Sequence, residues 1–213
     1  MIGYVSAVET KEPGDTYLPN SVMRDMLQFL ERQLGREALR GILNLAGVEH
    51  YFRGLPPNNM QPEIKSSDYL ALIQGLRDYY DERGAVAVLR ELGKANVRRG
   101  VVHAVGLAEQ GGRITGKQLL GIALDAFAKS TAVRDRRLVL LQDSGDMLLV
   151  SVRQPACWAA DGSRHACEVA VGALRGALEM VSGRSLRVRP IACCHSGAHH
   201  CVFEVSRAGR ISP

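Results

Sequence analysis

The spacing of apolar residues changes once along this chain, near residue 130, and that change limits the folds open to it. Upstream, apolar residues recur at helical intervals. Pro19-Asn20-Ser21 offers a helix cap, Val22, Met26, Leu27, Leu30 and Leu34 follow on one face, and Gly35 ends the segment. Leu39, Ile42, Leu43 and Ala46 repeat the pattern. Ser66-Ser67-Asp68 caps a further helix with Leu70, Ile73, Leu76 and Tyr80 on one face. The spacing continues through Val86, Leu89 and Leu92, and again from Gly116 to Phe127. Four or five helices therefore fill the first 130 residues. Residues 1–18 read as an irregular lead-in, and the Pro/Asn-rich residues 50–65 as a loop. That loop is either a plain connector or a cover over a cavity.

Downstream, strand patterns take over. Arg137–Gln142 and Met147–Val152 form the clearest hairpin, joined by Asp143-Ser144-Gly145-Asp146. A helix runs from about His165 to Val181. Leu186-Arg187-Val188-Arg189 alternates as a half-buried strand does, and Val202-Phe203-Glu204-Val205 suits its antiparallel partner. The expected class is α+β: N-terminal helices, then a four-stranded antiparallel sheet with a long helix inserted, in the order strand-strand-helix-strand-strand. Residues 1–50 are expected to be an N-terminal helical extension and residues 51–213 the main domain.

With 213 residues and 46% apolar content, the chain can bury a substantial core. The net charge of +5 comes from arginines spread along the chain, not from a basic stripe with interleaved aromatics. Nucleic-acid binding is therefore not expected. No leader peptide is read at the N-terminus, and no stretch approaches a membrane span. The expected location is cytoplasmic, where thiols stay reduced.

All five cysteines lie beyond residue 156. Cys167 sits near the start of the late helix. Cys193 and Cys201 flank a turn that carries Cys194, His195, His199 and His200. A hairpin turn would bring Cys193 and Cys201 together, and the helix would add Cys167. Thiolate and imidazole suit zinc, so Cys167, Cys193, Cys201 and His195, with His199, His200 or Cys194 as alternatives for the fourth ligand, form a candidate structural zinc site. The same residues also admit small buried hydrophobes, a disulfide formed on oxidation, or a nucleophile, for which Cys167 is the best placed. Gly172 and Gly176 share one helix face, which invites close approach by a packed element or by a ligand.

Cys167, Gly172, Gly176, Gly183, Cys193, Gly197 and Cys201, followed by Val202-Phe203, form a pattern that resembles the 4-vinyl reductase domain family. The likeness covers about residues 135–206 well and the helical part in general outline. It implies a fold related to transport-protein-particle subunits and heme-nitric-oxide-type sensor domains. It also implies an apolar pocket between helices and sheet, and dimerisation through N-terminal helices. Members with the complete motif hold zinc with three cysteines and an acid preceding the second. Here Leu186 to Ile191 contains no acid, so either a turn histidine, Glu168 or Glu179 serves, or no metal binds.

Three functions follow. The favoured one is a module that binds or senses a hydrophobic, aromatic or tetrapyrrole molecule and signals through a downstream regulatory protein. Leu72, Ile73, Leu76, Leu119, Ile122 and Phe127, with Gly172 and Gly176, are its candidate lining, and a homodimer is the expected assembly. The second is an enzyme or accessory of chlorophyll-type vinyl reduction, although the chain has no dinucleotide fingerprint and no cluster-type cysteine spacing. The third is an assembly or tethering subunit. No catalytic residue is assigned.

Overall fold

The computed structural model describes residues 17–110, 115–130, 138–143, 147–152, 166–193, 198 and 200–207. A short strand, β1 (Tyr17–Pro19), leads into α1 (Asn20–Leu34), α2 (Arg36–Leu45) and the single turn α3 (His50–Arg53). Then come β2 (Pro62–Lys65), α4 (Ser66–Tyr79), the long α5 (Glu82–Gln110) and α6 (Gly116–Ser130). The C-terminal part contains β3 (Leu138–Asp143), β4 (Met147–Val152), α7 (Ala166–Ser182), β5 (Leu186–Ala192) and β6 (Cys201–Arg207).

The α+β class holds, with antiparallel strands and many helices. The single sheet expected from the sequence is corrected to two. β1 pairs with β2, setting Leu18 opposite Ile64, both nearly fully buried. These strands are three and four residues long, too short to register as an alternating pattern. The second sheet runs in the order β3-β4-β6-β5. β3 and β5 are its outer strands. Val188 points into the core, Arg187 and Arg189 lie exposed, and the register shifts between Pro190 and Ala192. Arg189 donates two hydrogen bonds to Glu204 of β6, at 2.8 and 3.1 Å. Those bonds, more than the nearby positive charge, hold the Glu204 carboxyl below its ordinary range.

The expected side-chain cap of α1 is absent. The Asn20 and Ser21 backbone amides instead donate to the carbonyls of Gln61 and Asn59, at 2.9 and 3.0 Å. Two of the helix's orphan donors are thus satisfied by the loop before β2. The Asn20 side chain is buried and donates to Asn59 (3.0 Å) and Glu63 (2.6 Å). The Pro/Asn-rich segment therefore terminates α1 and supplies a strand. Gly35, at φ +85°, ends α1 as expected and lets α2 begin at once.

Among the described residues the buried side chains form two clusters. The first joins Met23, Leu27 and Leu30 of α1 with Ile42 of α2, Leu72 and Ile73 of α4, and the opening turns of α5. The second joins Val97 and Val101 of α5 with Phe127 of α6, Leu174 of α7, and Val150 and Phe203 of the sheet. Phe127 and Phe203 meet edge to face, with centroids 6.4 Å apart. α5 alone contributes several buried residues to both clusters. Its stripe Leu89, Leu92, Gly93, Val97, Val101 keeps one face inward along most of its length.

α5 and α7 touch backbone to backbone. A Cβ on Gly93 would collide with the Val169 carbonyl oxygen, and one on Gly172 with the Arg90 carbonyl oxygen. Gly176 faces Lys94, whose Cγ lies 2.8 Å from where its Cβ would be. Beside this contact Arg90 Nε donates to Glu168 at 2.6 Å. Both collisions are with main-chain atoms, which cannot rotate aside. Gly93→Ala should therefore destabilise the protein by about 2–4 kcal/mol, as steric intrusion into a packed core does. Gly106 on the same helix has nothing within 4 Å of its Cβ position. Gly106→Ala should stabilise by about 0.5–1 kcal/mol through helix propensity. Urea melts of the two variants against the parent check the pair.

Tyr51 of α3 donates its hydroxyl to Asp68 at 3.0 Å. Burial first, then that hydrogen bond and the Asp68 charge, push its pKa well above the tyrosine range. The unfolded chain releases this proton near pH 10 while the folded chain holds it. The associated stability is complete below about pH 10 and declines as pH rises further. Thermal midpoints of Tyr51→Phe should fall less steeply than the parent's above that pH.

Candidate functional site

The cysteines meet where α7 crosses the end of the sheet. Cys167 is the second residue of α7, Cys193 follows the last residue of β5, and Cys201 opens β6. Antiparallel pairing of β5 with β6 sets Ala192 opposite Val202, so Cys193 and Cys201 are brought side by side. The Ala198 backbone N–H donates to the Cys193 carbonyl at 3.2 Å and helps close the connection. The close approach of α7 to α5 fixes where the first turn of α7 lands, and with it Cys167.

The Cys167 and Cys193 sulfurs are 3.1 Å apart, and Cys201 lies 3.8 Å from each. Cys167 and Cys201 are buried and Cys193 is half-buried. All three are thiols, packed beside Val150, Val152 and Phe203. Among the described residues they form the one group of donor side chains close enough to share an ion, and no histidine or carboxylate joins it. Glu168 is paired with Arg90. Glu179 accepts from Arg175 and from the Leu186 backbone N–H, both at 2.9 Å. His195 and its alternative His199 lie outside the described residues; His200 is described and half-buried.

The candidate pocket residues separate. Leu72, Ile73 and Leu76 are wholly buried in the N-terminal cluster, and Phe127 in the C-terminal one. Leu119 and Ile122 are half-buried on α6. Gly172 and Gly176 face α5, so a packed helix meets that glycine face. Two features escaped the sequence reading. Gly93 mirrors Gly172 across the helix contact, and its only signal was a glycine within an apolar helical stripe. Arg90 reaches Glu168 from a position 78 residues away, a separation that no local pattern reveals.

No family model and no curated protein matches the chain. Solved structures do share its fold. A mutant H-NOX protein from K. algicida, in the Fe(II) unliganded state, superposes with a TM-score of 0.62 at 14% identity, covering 91% of this chain and 98% of that one. An H-NOX protein from S. oneidensis in the Fe(II)NO ligation state gives 0.58 at 12%, covering 90% and 100%. A structure solved to probe heme distortion in the H-NOX family gives 0.55 at 11%, covering 92% and 98%. The chain therefore has an H-NOX-like fold, as the relation to heme-nitric-oxide-type domains led one to expect. No described helix is long and apolar enough to cross a membrane.

These neighbours overturn the zinc expectation. The H-NOX structures that share this fold are of an Fe(II) protein and of a family studied for its heme distortion, and here no histidine or carboxylate joins the three thiols among the described residues, while Glu168 is paired with Arg90 and Glu179 with Arg175 and a strand amide. Heme in turn asks for an axial side chain within an apolar pocket. Of the described histidines, His50 and His103 are exposed and His200 is half-buried beside Cys201. The described histidines therefore offer no buried imidazole to a heme iron.

The cluster's burial still sets its sensitivity to substitution. Cys201→Ser places a hydroxyl among apolar side chains at a fully buried position and should cost about 1–3 kcal/mol. Cys193→Ser, at a half-buried position, should cost less. Paired urea melts under reducing conditions measure the difference.

Proposed function

We propose that this chain is a small-molecule sensing domain. Its ligand would be a hydrophobic, aromatic or tetrapyrrole compound held by apolar contact and shape. The observation that carries this reading is the fold itself. It matches H-NOX proteins over nearly their whole length, and among those structures are one in an Fe(II)NO ligation state and one concerned with H-NOX activation. The cysteine–glycine pattern from Cys167 to Cys201 adds the likeness to 4-vinyl reductase domains. That likeness favours a tetrapyrrole or aromatic ligand over a gas held on iron.

Within this reading the ligand enters at α6. Leu119 and Ile122 are half-buried there, beside the wholly buried Phe127, whereas Leu72, Ile73 and Leu76 are closed core. A molecule lodged against α6 would bear on α5, which packs on both clusters. The ligand then favours one packing of α5 over another, a population shift that helices transmit to a partner. A homodimer through the N-terminal helices and a downstream regulatory protein complete the proposal.

Native mass spectrometry of the full chain, with calorimetric titration by protoporphyrin IX and by an alkylphenol, tests it. Saturable binding of either probe, or a co-purified apolar molecule, is the expected result. Ile122→Trp should weaken that binding at least about tenfold, equivalent to about 1.4 kcal/mol. A clean apo mass with no saturable uptake of either probe would overturn the reading. An imidazole-type heme spectrum on titration with hemin would replace binding by shape with binding through iron.

A further inference from the structure

The three sulfurs are unequal in a way that assigns them different chemistry. Cys193 is half-buried, whereas Cys167 is 3% exposed and Cys201 wholly buried. Of these three, a small polar oxidant therefore meets Cys193 first. Among the described residues the sulfur nearest to it is Cys167 at 3.1 Å, while Cys201 stands at 3.8 Å. A disulfide requires the pair to close to about 2.05 Å, a movement of about one ångström.

We propose that Cys193 is a modification site for peroxide-class oxidants, with Cys167 as its resolving partner. In the first step, written for hydrogen peroxide, the Cys193 sulfur attacks one oxygen and the O–O bond breaks. The leaving oxygen departs as water, taking the thiol proton. Cys193 becomes a sulfenic acid and the peroxide is reduced. In the second step the Cys167 sulfur attacks the sulfenyl sulfur. The S–O bond breaks, the S–S bond forms, and the hydroxyl leaves with the Cys167 proton as a second water. Two thiols and one peroxide thus give one disulfide and two waters. A dithiol reductant reverses the change.

The bond would join the first turn of α7 to the end of β5. Strand pairing already tethers β5 to β6, and the Gly93–Gly172 contact already tethers α7 to α5. Oxidation therefore locks the helix pair onto the sheet without a large rearrangement. This inference stands apart from the ligand reading, since neither step involves a bound small molecule.

The test uses the fully reduced chain, graded hydrogen peroxide, dimedone as a sulfenate trap, alkylation of residual thiols, and fragmentation mass spectrometry. The expected result is a dimedone adduct on Cys193. Without dimedone, a two-hydrogen mass loss should map to a Cys167–Cys193 link, with a raised thermal midpoint that dithiothreitol restores. Cys194→Ser should keep the link. Cys167→Ser should lose it while still accumulating the Cys193 adduct, a readout that a merely structural role would not move. Should Cys167→Ser fail to fold, Cys167→Ala serves in its place. First oxidation at Cys157 or Cys194, or a link from Cys167 to Cys201, would overturn the proposal.

Discussion

The backbone contact between α5 and α7 is the constraint on which the other arrangements rest. It exists because two glycines, Gly93 and Gly172, each remove a side chain where the facing helix presents a carbonyl. Each glycine costs about 1 kcal/mol of helix propensity, which close packing and burial have to offset. The return is positional. α5 extends through both apolar clusters, so fixing α7 to it places the second cluster, the sheet behind it, and the first turn of α7 at once.

From that placement the thiol cluster follows. Cys167 owes its position to the helix contact, and Cys193 and Cys201 owe theirs to the pairing of β5 with β6. A helix residue and two strand-end residues thus converge through the docking of α7 and the pairing of β5 with β6. The Arg90–Glu168 pair sits next to Cys167 and reinforces the same junction. It is partly exposed and contributes modestly to stability, but its direction favours the same docking of α7 on α5.

Much of this was legible in the sequence where a pattern is local. The β3–β4 hairpin, α7 and the pairing of β5 with β6 announced themselves through period, turn residues and alternation, and Gly35 through its place after Leu34. What was missed depends on tertiary partners. Leu18 and Ile64 form a strand pair too short to alternate. Asn20 looked like a cap and instead serves as a buried donor to Asn59 and Glu63. Gly172 and Gly176 indicated that something approaches, but only the fold shows that the visitor is α5. The cysteines were found by composition. Their identity could not say whether they share an ion, because the carboxylates that looked available, Glu168 and Glu179, are held by Arg90, Arg175 and a strand amide.

The outer strand β5 has a bearing on how the molecule behaves in company. An outer strand presents backbone donors and acceptors in a row, a template onto which another chain can add. Pro190 interrupts that row with a residue that has no N–H, the register shift beyond it bends the edge, and Arg187 and Arg189 set positive charge along it. A second identical edge would bring like charges together and find a broken ladder. The strand that helps position the thiols is thus also built to discourage fibril-like stacking, which matters most while the chain is newly made and its sheet is still assembling.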